Sequence, residues 1–250
     1  MENSPDKIIM PYSFIGLNKT SADLPASIFE QFFSLFELCI SNEHKKSLLL
    51  RSLDILMSDP TFFESGIRQL IENDIYEEAE VRPLFQALSS GHKVVLLIIT
   101  CCVEKISEQT LVMIDEPENH LHPPLLSALI RTLSELLISR NGVAIVSTHS
   151  PVVLQEVPSN CVWMLRRTGD ELIAERPQLQ SFGAGVGTLT NEVFGLEVNK
   201  SGFHRLLAEA AKYSPDYAHA LAEFDGQLGD EAQIILRSMI FAQKDVYAND

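Results

Sequence analysis

The chain has 250 residues, 46% hydrophobic and 21% charged, which permits a sizeable core and excludes whole-chain disorder. Nineteen Lys and Arg stand against 34 Asp and Glu, a net charge of −15. Direct binding to DNA is not expected of so acidic a chain, nor binding to an anionic membrane surface.

The longest strongly apolar run covers residues 94–103, short of the ~18–20 residues of a membrane span. The first residues, MENSPDKIIMPYS, lack the basic start and long apolar stretch of a signal peptide. Cys39, Cys101, Cys102 and Cys161 form no C-x-x-C pair and no zinc spacing with histidine. They read as reduced thiols, and a cytoplasmic location is expected.

The elements follow in chain order. Residues 8–15 (IIMPYSFI) suggest a short strand interrupted by Pro11. Residues 25–40 carry apolar side chains at helical spacing, with Pro25 at the first turn. Two more helices are expected at 44–57 and 60–73, with Asp59-Pro60 between them. Residues 76–80 (YEEAE) form an acidic patch. LSSG at 88–91 leads into HKVVLLIITCCVEKI, long enough for a buried helix. A bare apolar strand at 110–114 ends in Asp115-Glu116-Pro117, and residues 123–139 read as a helix. A second buried strand at 142–147 ends at Thr148-His149-Ser150. Residues 162–167 and 171–175 resemble a hairpin around Gly169-Asp170. Residues 183–188 (GAGVGT) have three glycines but no lysine, and are read as a flexible connection to a helix from Leu189. From Ser201 the chain reads as two or three amphipathic helices.

Strand, helix, strand with polar residues at the strand ends is a parallel α/β pattern, in which ligands bind at the carboxyl ends of the strands. Asp115, Glu116 and His149 lie there. Two adjacent carboxylates at the exit of an apolar strand are costly to desolvate without a cation. A hydrated Mg²⁺ held through Asp115 suits them, with Glu116 placed to polarise a water. A capping acidic loop is the plainer alternative. His120 and His122 are two apart, do not face one way on a helix, and are not read as a metal pair. Lys45-Lys46 and Arg166-Arg167 read as solvated surface.

Three motifs stand in one order: LSSGH at 88–92, IDEPENHLHP at 114–123 and VSTHSP at 146–151. They resemble the signature, the Walker B and D-loop segment, and the switch-histidine strand of ABC-type ATPases. The likeness is nearest to the RecF- and SMC-like branch with its AAA-like defence and repair members, including the ATPases of Septu-type and retron-linked anti-phage systems. It covers residues 84–165. It implies an α/β P-loop sheet, with a helical subdomain at 24–80, an ATPase lobe over 1–200 and a helical extension over 201–250. It implies ATP as substrate and Mg²⁺ as cofactor. Glu116 and His149 become catalytic; Ser89, Ser90, Gly91, Asp115, Asn119 and His122 become nucleotide-binding residues. It implies a homodimer or higher oligomer through signature and D-loop, and admits a nuclease subunit as a further partner. His92 departs from the usual glutamine of the signature.

No G-x-x-x-x-G-K-[ST] loop occurs in the sequence, so a phosphate cradle is not supplied by these residues. The resemblance suggests that the chain begins just after such a loop. It also implies that a Walker A strand would neighbour the Walker B strand, leaving here an unsatisfied sheet edge and an exposed apolar face. A Walker A-bearing chain is then an expected partner. Two further readings stand beside an ATPase: a non-catalytic lobe lending its signature to another subunit, and an unrelated metal-dependent nuclease or phosphatase. The last leaves LSSG and His149 unexplained.

Overall fold

The computed structural model describes residues 12–14, 24–198 and 202–247. The chain divides into two compact units, residues 1–158 and 159–250. The boundary expected at 200/201 falls on residues outside the described ones.

The first unit joins a parallel sheet to a helical layer, consistent with an α/β fold. Its strands are β1 (Tyr12–Phe14), β2 (Leu111–Asp115) and β3 (Val143–Ser147), in the order β1-β2-β3. The register runs Leu111↔Val143 through Asp115↔Ser147, so the two strands end level. Between them α7 (Pro123–Ser139) makes the crossover. Two prolines open α7 and the His122 ring caps its N-terminus, accepting from the Leu125 N–H at 3.4 Å.

The helices before β2 are α1 (Leu24–Ile40), α2 (Glu43–Leu56), α3 (Pro60–Glu64), α4 (Ile67–Glu72), α5 (Glu78–Ala87) and α6 (Ser90–Lys105). The apolar residues of α1 recur every three or four positions, so Phe29, Phe32 and Phe36 share one buried face. Phe32 stacks on Phe85 of α5 with centroids 4.7 Å apart. The core continues through Val95, Ile99 and Cys102 of α6 to Leu125, Leu129 and Leu133 of α7. Burial pushes the Cys39 thiol up to about 12, so it sits in the core as a neutral group.

Three expectations are corrected. The single helix at 60–73 is two, because Gly66 stands at φ 73° and interrupts the helical backbone. The acidic patch at 76–80 opens α5, which carries Pro83 inside it. The strands are buried on one face only: Val112 points into the core, whereas Met113, Val143 and Ile145 are 56%, 54% and 57% exposed. The sheet order also revises the place of any Walker A strand. Both sides of β2 are already paired, to β1 and to β3, so a further strand could join only at β1 or β3.

A short helix, α8 (Pro151–Gln155), closes the first unit with Val152 and Val153 packed on Leu126 and Ile130. The second unit opens with a hairpin of β4 (Met164–Thr168) and β5 (Glu171–Glu175), the Arg176 guanidinium lying 3.7 Å from the Trp163 ring centroid. Helix α9 (Val186–Val198) begins three residues before Leu189, so Gly187 and Thr188 are helical rather than part of a loop. Helices α10 (Phe203–Tyr213), α11 (Tyr217–Ala222) and α12 (Asp230–Tyr247) pack around Leu207, Ala211 and Leu236. Among the described residues no helix is long and apolar enough to cross a membrane.

Candidate functional site

The sequence places Asp115 on the last residue of β2 and Glu116 on the first beyond it. The Glu116 N–H donates to the Ser147 carbonyl at 2.8 Å. That bond holds the two strand ends together and orients the residues that follow. Glu116 lies in the left-handed region at φ 46°, where a non-glycine residue costs of order 1–3 kcal/mol and persists only when its surroundings fix it. The Asn119 amide donates to its Oε2 at 2.9 Å. The His149 ring comes from the end of β3, with Nδ1 3.7 Å from Glu116 Oε1. Asp115, Glu116 and His149 are all exposed at the strand ends.

One side chain that the sequence did not single out organises this corner. Glu118 Oε1 accepts from the Thr148 hydroxyl at 2.8 Å and from the His149 N–H at 2.8 Å, and it lies 3.1 Å from His149 Nδ1. Its side chain is 10% exposed, and Oε2 is buried without a hydrogen-bond partner. Burial of an unpaired carboxylate oxygen is costly. The signal in the sequence was a carboxylate on the turn behind Asp115-Glu116, close enough to reach the β3 exit. Glu118→Ala should free His149 from its fixed orientation. The expected result is a His149 ring resonance that broadens or moves towards random-coil values in NMR spectra, with the fold retained. An unmoved resonance contradicts the anchoring role.

Asp115, Glu116 and Glu118 bring carboxylate oxygens to the strand ends beside the His149 ring, and oxygen is the donor that a hard divalent cation such as Mg²⁺ prefers; the group whose ligand atoms lie within 4.8 Å of one another is a different one, Asp59, His92 and His122. The orphaned Glu118 oxygen is a second sign that the corner is short of a donor or a cation. Among the described residues no Lys or Arg forms an ion pair with Asp115, Glu116 or Glu118.

The LSSGH segment forms the other group. Ser89 is the N-cap of α6, its hydroxyl oxygen accepting from the His92 N–H at 3.4 Å. Ser89 and Ser90 are exposed, whereas Gly91 and His92 are buried. A Cβ at Gly91 would lie 3.1 Å from the His120 carbonyl oxygen and 3.3 Å from Leu121 Cδ2. The glycine thus lets the α6 N-terminus approach the loop before α7. The exposed turn presents a helix N-terminus, a favourable place for an anion. His122 caps α7 and also turns towards the buried Asp59 carboxylate, with Nε2 3.5 Å from Oδ2.

Of the residues expected at a site, Glu116, Asn119 and His149 are therefore joined by direct contacts. Gly91 meets the same loop that carries His120 to His122, and Asp115 ends the strand beside them.

Residues 64–155 match a family model described as "AAA domain, putative AbiEii toxin, Type IV TA system". This match supports the AAA/ABC-like ATPase superfamily for that stretch of the chain. The chain is also similar to "Protein ea59" of Escherichia phage lambda, 39% identical over 252 residues, which covers 92% of this chain and 48% of that protein. The chain spans about half the length of this curated relative.

Proposed function

We propose that this chain is the Walker B, signature and switch-histidine lobe of an ABC-type, ATP-hydrolysing ATPase, completed by a Walker A supplied from outside the sequence given. The observation that carries it is the meeting of Glu116 and His149 across the level ends of two parallel strands, 3.7 Å apart. Glu116 takes a proton from, or orients, the attacking water. His149 faces the γ-phosphate, its ring held by Glu118. Asp115 would hold Mg²⁺ through water, and the ion would supply charge neutralisation at the phosphates. Ser89, Ser90 and Gly91 present the helix N-terminus to the γ-phosphate of an ATP bound by the opposing subunit, and the Asn119–His122 loop lies at that interface.

The exposed row of Met113, Val143 and Ile145 supports the same reading. Three large apolar side chains on one sheet face call for another layer, and the Walker A strand and helix are the layer proposed, the strand joining at an edge of the sheet. Residues 146–151 and 114–123, with their defence- and repair-type motif, favour a role in DNA repair or anti-phage defence, where any DNA cleavage falls to a separate nuclease chain.

A second reading has its own observation. With no phosphate cradle in the sequence, this lobe could lend only its signature to a catalytic partner. The test is hydrolysis of Mg-ATP by a Walker A-bearing homologue with and without this chain. Stimulation is expected, and Ser89→Arg should abolish it by filling the phosphate position of the turn. Undiminished stimulation by Ser89→Arg contradicts the trans contact. Stimulation that survives Glu116→Gln but not Ser89→Arg selects the non-catalytic reading.

A further inference from the structure

We infer that Asp59 is a positioning residue that clamps the 89–91 turn and the loop ahead of α7 into one register; the inference rests on the nucleotide-site reading of those two segments. Asp59 comes from the α2–α3 connection, a part of the sequence with no motif. Its side chain is 4% exposed. Its Oδ1 caps α3 by accepting from the Thr61 N–H at 2.9 Å. The same oxygen lies 3.0 Å from His92 Nε2, and Oδ2 lies 3.5 Å from His122 Nε2.

The far side of each ring is also engaged. His92 Nδ1 is 2.6 Å from the Ser89 hydroxyl, and His122 Nδ1 accepts from the Leu125 N–H. A carboxylate only accepts, so each Nε2 carries a proton and each Nδ1 of a neutral ring is left as an acceptor. The contacts then run one way from both ends towards Asp59: by hydrogen bonds from Ser89 through His92, and from the α7 N-terminus through His122, whose Nε2 faces Oδ2 at 3.5 Å. Phe62 stands edge-on to the His92 ring at 5.1 Å and walls the cluster. Burial works to raise the Asp59 carboxyl, but the His92 bond and the Thr61 N–H are the leading causes that hold it below the usual range. Truncating Asp59 would leave two ring N–H groups facing a gap and α3 without its cap.

The three side chains also bring possible metal-ligand atoms within 4.8 Å of one another. Coordination would need a lone pair on both Nε2 atoms. It would move the proton of His122 to Nδ1, opposite the Leu125 N–H, donor against donor. The hydrogen bonds therefore favour the clamp over a metal cage.

The functional consequence is a link between two loops that act on nucleotide. The Ser89 hydroxyl is oriented by His92, and Gly91 lets that turn approach the His120 carbonyl. One buried carboxylate fixes both. It thereby sets the position of the signature turn relative to the loop at the subunit interface.

The test is a long-range ¹H–¹⁵N spectrum of the purified chain labelled at histidine. Both His92 and His122 should show the Nε2–H tautomer. In Asp59→Asn both signals should shift: the rings face different oxygens, so the amide would set its NH₂ donor against one ring N–H and leave the other a neutral acceptor in place of a carboxylate. In His92→Gln, which keeps one donor for Asp59 and one acceptor for Ser89, the His122 signal should stay in place; in His92→Leu it should move. In the stimulated ATPase, Asp59→Asn should lower kcat by about 10- to 100-fold, as displaced reacting groups do, with little change in KM. His92→Gln should restore most of the rate that His92→Leu loses. An Nδ1–H tautomer at either ring overturns the clamp, as does saturable stoichiometric binding of zinc to the wild-type chain. So do unshifted spectra in Asp59→Asn. The spectra are read on the chain alone, so they decide the clamp even where the mixture shows no hydrolysis and the ATPase reading fails.

Discussion

Glu116→Gln should lower kcat of the reconstituted ATPase by about 10²- to 10⁴-fold, the contribution expected of a general base, while Mg-ATP binding persists. Glutamine keeps the length of the side chain and an acceptor for the Asn119 amide, which now donates to Glu116 Oε2 at 2.9 Å. It removes only the capacity to take a proton. The backbone N–H that ties Glu116 to the Ser147 carbonyl is untouched, so the strand ends stay level. Stalled, nucleotide-bound dimers should accumulate, and gel filtration with ATP would register them. Wild-type turnover in Glu116→Gln would remove this residue as base or water-positioner.

Phe32→Ala should destabilise the first unit by about 3–5 kcal/mol, the range for removing a large aromatic side chain from a core. Phe32 is fully buried at 0% exposure. It stacks on Phe85 at 4.7 Å and tilts against Phe36 and Phe29 at 5.4 and 6.4 Å. The surrounding helices α1, α5 and α6 are fixed by one another, so the cavity cannot collapse fully. Urea unfolding should show a lower midpoint with an unchanged slope. Phe63 is the internal control. It is 62% exposed, and Phe63→Ala should change stability by no more than about 0.5 kcal/mol. Equal losses from the two variants would mean that α1 is not packed as described.

Periodicity and punctuation carried much of the fold. The helix expected at 123–139 spans Pro123–Ser139, because two prolines start it and Arg140-Asn141-Gly142 ends it. Strand β3 and the hairpin at Gly169-Asp170 were legible for the same reason: short apolar runs between turn residues. Helix α5 was not, since Pro83 argues against a helix interior. Its apolar residues Val81 and Phe85 hold it in place through burial against α1. The interrupted helix at Gly66 shows the opposite case, where a single left-handed glycine outweighs a continuous apolar pattern.

The candidate site was legible where chemistry is local in sequence. Asp115 and Glu116 follow an apolar strand directly, and His149 ends the next. What sequence could not place was contact at a distance. Glu118 reaches 30 residues forward to Thr148, and Asp59 reaches 33 residues to His92. Neither spacing has a period, so only the packing of α3 and α6 and the pairing of β2 with β3 reveal them. The faces of the sheet were hidden in the same way. An unbroken apolar run does not tell whether one side or both are covered.

In the proposed function this lobe shares its ATP site with a Walker A from outside the sequence. Calorimetric titration of Mg-ATP into the Glu116→Gln chain tests it, first alone and then with a Walker A-bearing homologue. No measurable heat of binding is expected for the chain alone. With the homologue a site in the micromolar range, about −8 kcal/mol, is expected, and Ser89→Arg should weaken it. Micromolar binding to the isolated chain, or a mixture that binds no better than the homologue by itself, would contradict the shared site.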